Sequence, residues 1–115
     1  MKMTSATREV NGVTILDISG RITLDSGSAA LRDAIHDLTS KGRKNILVNL
    51  AEITYIDSSG VGALVGAFTT VRQHGGQLKL LKLTQKVRDL LHLTNLHKLF
   101  EIKDDEAEAI SSFTS

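Results

Sequence analysis

The residues of this chain best suited to chemistry stand together in Ile56-Asp57-Ser58-Ser59-Gly60, just ahead of an apolar run that begins at Val61. An Asp followed by small polar residues is a helix N-cap pattern. Its carboxylate accepts hydrogen bonds from backbone N–H groups that open a helix and find no partner inside it. With Asp57 as the cap, Ser58 is the first helical residue and holds its hydroxyl at the helix mouth. A phosphate placed there would lie near unsatisfied donors and the positive end of the helix dipole. It would add a charge of about −2 to a surface otherwise neutral apart from Asp57. A partner pressed against this helix end would then meet like-charge and steric penalties if its own groups were acidic or closely fitted. The same four residues also make an ordinary capping sequence, so the pattern permits a phosphoswitch without demanding one.

Other chemistries find less support. The four histidines, His36, His74, His92 and His97, lack the i, i+4 pairing and the His-Glu partners of a metal site. A serine hydrolase needs a Gly-x-Ser-x-Gly elbow and a base; Ser58 lacks the first glycine, and no histidine stands in a clear place to serve it. The Gly-x-x-x-x-Gly-Lys-Ser/Thr loop of nucleotide-binding proteins is absent. Asp57 follows a central strand, as the phosphoacceptor of a response-regulator receiver does. A receiver also needs a pair of acids after its first strand, and Ser19-Gly20-Arg21-Ile22 offers none. The run Asp104–Glu108 reads as a helix start facing water, and Lys79-Leu80-Leu81-Lys82 as an edge or rim strand. These observations favour a binding protein without cofactor, metal or catalytic activity.

The elements that must position Asp57 and Ser58 are legible from turn residues and apolar spacing. Asn11-Gly12 between two β-prone runs, Thr7–Val10 and Val13–Ser19, is a strong hairpin signal, with Gly20 ending the second strand. A loop over 21–25 leads to a helix starting near Ser26 or Ser28; its apolar set is Leu31, Ala34, Ile35 and Leu38, and Gly42 stops it. Asn45–Leu50 has the composition of a strand buried on both faces. The chain then passes through 51–56 into a helix from about Ser59 to His74, with Val61, Leu64, Val65, Phe68 and Arg72 along its inner stripe. Gly62 and Gly66 lie on another row, where their size would permit a close approach to a neighbouring element. A strand around Leu78–Leu83, a helix capped by Thr84, a strand at Leu99–Ile102 and a last helix opened by Asp104-Asp105-Glu106 complete the series. The predicted class is α/β: one domain over residues 1–115 with a mixed, mostly parallel sheet of four to five strands and about four helices.

The totals agree with that reading. The chain has 115 residues, a net charge of +1 with both signs interspersed, no cysteine and no proline. Disulfides and Cys-based zinc sites are excluded. One Tyr and three Phe, with no basic stripe, argue against nucleic acid as a partner. No apolar stretch reaches the roughly 20 residues of a membrane span. The polar start Met1-Lys2-Met3-Thr4-Ser5 has no signal-peptide core. A cytoplasmic location without membrane insertion is the expectation.

The stretches Ile46–Leu50, Tyr55-Ile56-Asp57-Ser58-Ser59-Gly60-Val61-Gly62, Gly75-Gly76-Gln77-Leu78-Lys79-Leu80 and Val87-Arg88-Asp89-Leu90-Leu91-His92-Leu93-Thr94-Asn95-Leu96 closely resemble the anti-sigma factor antagonists of the STAS family. The likeness runs in order over nearly the whole chain. It implies a partner-switching role in which Ser58 is phosphorylated by an anti-sigma factor that is also an ATP-dependent serine kinase. The unmodified antagonist binds that kinase and frees a sigma factor, and a PPM-type phosphatase resets the switch. Asp57 matches the acid beside the phosphosite. The resemblance also implies a partner-facing surface of Thr23, Leu24, Asp25, Asp57, Ser59, Gly60, Val61 and Gly62, and allows weak nucleotide binding at the helix mouth. Thr23 departs from the acidic or Asn residue usual at its position, with Asp25 the nearby substitute; the change bears on which partner is recognised. The alternative is a STAS scaffold that is not phosphorylated, serving as accessory subunit of a signalling or transport complex.

Overall fold

Asn11 and Gly12 both adopt positive φ, 51° and 80°, and turn the chain back on itself between β1 (Thr4–Val10) and β2 (Val13–Ile22). This hairpin opens a computed structural model that describes residues 3–113. The expected extent of the domain, 1–115, and the polar start at Met1-Lys2 include residues 1, 2, 114 and 115, which lie outside the described residues. After the hairpin come α1 (Ser28–Ser40), β3 (Asn45–Ile56), α2 (Ser58–Gln73), β4 (Gln77–Leu81), α3 (Gln85–Leu93), β5 (Ile102–Lys103) and α4 (Glu106–Ser112). The strands form a five-stranded sheet in the order β1-β2-β3-β4-β5, antiparallel between β1 and β2 and parallel elsewhere. The α/β class and the mixed, mostly parallel sheet expected from the sequence are those observed.

Alternating strand residues feed two apolar clusters. Leu16, Ile18, Ile46, Val48 and Leu80 join Leu31 and Ile35 of α1, Val61 and Leu64 of α2, and Val87 and Leu91 of α3 in the larger one. Val13, Ile15, Leu47 and Leu81 join Ala109, Ile110 and Phe113 in the smaller one, beneath α4. Since Leu47 falls between Ile46 and Val48, the two clusters occupy opposite faces of the sheet. Among the described residues, no helix is long and apolar enough to cross a membrane.

Several strand boundaries differ from the expectation: β1 begins at Thr4 rather than Thr7, β4 ends at Leu81 rather than Leu83, and three further differences shape the site and the core. β2 does not stop at Gly20 but continues to Ile22, and β3 does not stop at Leu50 but continues to Ile56. The register shifts between Asp17 and Ser19 and between Gly20 and Arg21, with Gly20 at φ 99°, so a bulged strand resumes pairing where a regular one would have ended. The last strand is Ile102–Lys103 rather than Leu99–Ile102, because Phe100 turns into the core against Phe68, ring centroids 5.5 Å apart.

Lys79 is also not on a rim strand: it lies on β4, between β3 and β5, and is only 6% exposed. Its ammonium pairs with Glu101 at 3.0 Å, donates to the carbonyl and hydroxyl oxygens of Ser112 at 2.9 Å each, and stands 4.6 Å from the Phe113 ring centroid. A cation at the carbonyl end of α4 complements its dipole. The acidic start of α4 is held too, since Arg8 donates to Glu106 at 2.7 and 3.2 Å and to Asp17 at 2.6 and 3.0 Å. The expected exposed acidic helix start is therefore tied to β1.

The Arg8 hydrogen bonds hold the Asp17 and Glu106 carboxyls below their usual range. A depressed folded-state value stabilises the fold above the unfolded carboxyl pKa, and that stability is lost as pH falls through the folded value. The stability gap between the wild type and Arg8→Ala is therefore expected to be constant above about pH 5 and to shrink below about pH 4. Thermal melts from pH 7 to pH 3 measure it; a gap that widened in acid would refute the assignment.

Candidate functional site

The two strands that overrun their neighbours build the site. β4 pairs with β3 only as far as Leu81 opposite Asn49, whereas β2 pairs with β3 as far as Ile22 opposite Ile56. The last turn of pairing thus projects a two-stranded rim past the carboxyl end of β4. Asp57 follows at once, in extended conformation with φ −116° and ψ −174°, and α2 begins at Ser58.

Besides accepting the Val61 N–H on its carbonyl at 3.0 Å, Asp57 makes three further hydrogen bonds. Its Oδ1 accepts from the Gly60 N–H at 2.9 Å, which caps α2. Its Oδ2 accepts from the Leu24 N–H at 3.3 Å, and its own N–H donates to the Ile22 carbonyl at 3.3 Å. One residue therefore ties together the end of β2, the following loop and the helix. Gly60 makes the junction sterically feasible. A Cβ there would collide with the Ile22 carbonyl oxygen and come within 2.6 Å of Ile56 Cγ1.

The structure sorts the sequence-derived site residues into two groups. Ser58, Leu24, Asp25 and Gly62 are exposed, and Asp57 and Ser59 are half-buried. Thr23, Gly60 and Val61 are buried, so their part is to position the others. Thr23 Oγ1 donates to Asp25 Oδ1 at 3.0 Å, and its hydroxyl also reaches the Ser26 carbonyl at 3.1 Å. Thr23 and Asp25 thus act as one unit holding the loop, with Leu24 at its tip, 79% exposed.

The glycine row of α2 behaves differently from the expectation. A Cβ at Gly62 or Gly66 would meet nothing within 4 Å. The two glycines do not bring α2 close to a neighbour; with Ser59 they line an open groove of about 570 Å³ against Ser28 and Arg32 of α1. The close approach belongs to Gly60, whose signal was its place in the first turn of a helix that follows a strand directly. The inner stripe of α2 is correspondingly turned: Val61, Leu64, Ala67 and Val71 are buried, and Arg72 faces solvent.

The histidines do not assemble. His36 and His74 are exposed, while His92 and His97 stack on each other with ring centroids 4.0 Å apart. Among the described residues no group of three His, Cys, Asp or Glu side chains is placed to hold a metal ion. Tyr55, which sequence reasoning quoted only for the resemblance, lies on the rim with Arg21 Cζ 5.3 Å and Lys86 Nζ 5.2 Å from its ring centroid. No sequence signal links positions 21, 55 and 86, because three elements converge to make that contact.

A family model for the STAS domain matches residues 4–109. The anti-sigma-B factor antagonist of Bacillus subtilis is 32% identical over 87 residues, 76% of this chain and 78% of that protein. The corresponding antagonist of Listeria monocytogenes is 39% identical over 61 residues, 53% of this chain and 54% of that relative, so the match spans about half its length. Among solved structures, an anti-sigma factor antagonist from Mycobacterium paratuberculosis superposes with TM-score 0.87 at 20% identity, covering 99% of this chain and 96% of that one. The Bacillus antagonist SpoIIAA superposes in its unphosphorylated form with TM-score 0.79 at 22% identity, covering 95% of each chain. Its phosphorylated form gives 0.73 at 21%, covering 95% of this chain and 98% of that one. These structural likenesses establish a shared fold.

Two substitution sets test the junction. Asp57→Ala is expected to lower unfolding free energy by about 1–2 kcal/mol, while Asp57→Asn, also a good cap, keeps most of it. Urea titration reads both, and an Ala variant as stable as the wild type would refute the capping role. Gly60→Ala is expected to cost about 1–3 kcal/mol through the collision. Gly62→Ala and Gly66→Ala, with open space around them, are expected to stabilise by about 0.5–1 kcal/mol each.

Proposed function

This chain belongs to the STAS domain family, and we propose that it works as an anti-sigma factor antagonist whose partner switch is phosphorylation of Ser58. In this reading the whole chain, 1–115, is one such domain acting in the cytoplasm. It binds an anti-sigma factor with serine kinase activity while Ser58 is unmodified, and a sigma factor is thereby released. Catalysis belongs to the kinase and to a PPM-type phosphatase that restores the serine; the chain itself carries no catalytic residue and needs no cofactor.

The observation that carries the reading is the position of Ser58. It is exposed, it is the first residue of α2, and the capping bonds of its neighbour Asp57 hold it in place. A kinase can reach the hydroxyl without opening the fold. The resulting phosphate would sit at the positive end of a 16-residue helix, where negative charge is favoured. Phosphorylation therefore leaves the domain folded and changes its surface alone. A doubly charged group beside Leu24 then faces a partner shaped for a neutral hydroxyl. The names of the relatives, antagonists of anti-sigma factors, support the same assignment.

Incubation of the chain with ATP and lysate from its source organism, followed by fragment mass mapping, is expected to place one phosphate on Ser58 and none on Ser58→Ala. Against the purified kinase, Ser58→Ala is expected to bind like the unmodified chain, and Ser58→Asp at least about tenfold more weakly, or 1.4 kcal/mol. Equal affinity of the two variants, with no phosphate on Ser58, would favour a constitutively bound STAS scaffold.

A further inference from the structure

We propose that Arg21, Tyr55 and Lys86 form a cationic docking element that receives an acidic segment of the partner protein which engages the Ser58 rim. The proposal rests on the partner-switching reading above and names the chemistry of the partner's surface.

The element is assembled from three places. Arg21 is near the end of β2, Tyr55 stands opposite it in register near the end of β3, and Lys86 is in the first turn of α3. Both cations lie over the Tyr55 ring, at 5.3 and 5.2 Å from its centroid. The ring is 39% exposed, and both cationic residues are exposed. An aromatic face holds a cation in place without discharging it. The full positive charge of both groups is thus fixed at the rim.

Among the described residues neither Arg21 nor Lys86 is in an ion pair, although eight such pairs involve other side chains. The acids of the same rim are engaged instead. Both oxygens of Asp57 accept backbone N–H groups, and Asp25 accepts the Thr23 hydroxyl. Glu52, the nearest acid back along β3, stands opposite Ser19 and not Arg21. Those neutral donors orient Asp57 and Asp25 without cancelling their charge, so the positive charge gathers at Arg21 and Lys86 over the Tyr55 ring, and the surface complementary to that element is acidic. Phosphate on Ser58 would oppose the same partner by offsetting this charge and repelling the acids it attracts.

The probe is an acetylated hexaglutamate peptide, titrated at low salt into the unmodified 115-residue chain, with hexalysine as control. Amide and side-chain shift changes are expected at Arg21, Leu24, Tyr55 and Lys86. The dissociation constant is expected to rise at least tenfold in Arg21→Glu/Lys86→Glu, and several-fold in the milder Lys86→Gln, which leaves the strand pair untouched. Shifts spread evenly over Lys41, Lys44 and Lys98, or unchanged affinity in the folded double variant, would overturn the proposal. So would binding to phosphatidylserine vesicles without binding to the peptide, which would make the element a lipid contact. A failure to find phosphate on Ser58 is a separate result, because this titration uses the unmodified chain.

Discussion

The close approach of α2 to the end of β2 is the constraint on which the rest of the site depends. Gly60 lies so near the Ile22 carbonyl that no side chain fits between them, and Asp57 spans the same gap with three hydrogen bonds. A helix start is otherwise a place where N–H groups lack partners and the chain frays. Here the carboxylate satisfies one such donor and borrows another from the neighbouring loop. The Ser58 hydroxyl is therefore held exposed on a well-bonded support.

The same junction explains why three of the site residues are hidden from the surface. Thr23, Gly60 and Val61 are buried and hold the backbone, whereas Leu24, Asp25, Ser58 and Gly62 are exposed. The bulge near Gly20 extends both β2 and β3 beyond β4, and this lifts Tyr55 and Arg21 to the level of the helix mouth. Exposed groups gain their function from neighbours that are not exposed.

The opposite face of the sheet is stabilised by different means. α4 has only seven residues and, with its C-cap Phe113, adds three side chains to its apolar cluster. Glu106, held by Arg8, at its start and Lys79 at its carbonyl end bracket it with opposite charges matched to its dipole. Lys79 is nearly buried, so its partners are required: an unpaired ammonium there would be costly.

Local chemistry was enough to read most of this protein from its sequence. Asn11-Gly12 encodes the hairpin because both residues tolerate positive φ, and the spacing of Leu31, Ile35 and Leu38 encodes the inner face of α1. Asp57 was legible as a cap and Ser58 as the first helical residue, since capping involves only residues a turn apart. What tertiary structure alone decided involves distant partners. The extension of β3 to Ile56 depends on register shifts against β2 that place the extra residues on β3, and the inward turn of Phe100 depends on Phe68. Lys79 became a buried clamp because the last helix ends above it, and Gly62 and Gly66 line a groove because no side chain of α1 fills the space beside them. Arg21, Tyr55 and Lys86 meet only because two strands and a helix end at one rim. Periodicity and capping are properties of neighbours along the chain, whereas register, burial and convergence are properties of the folded whole.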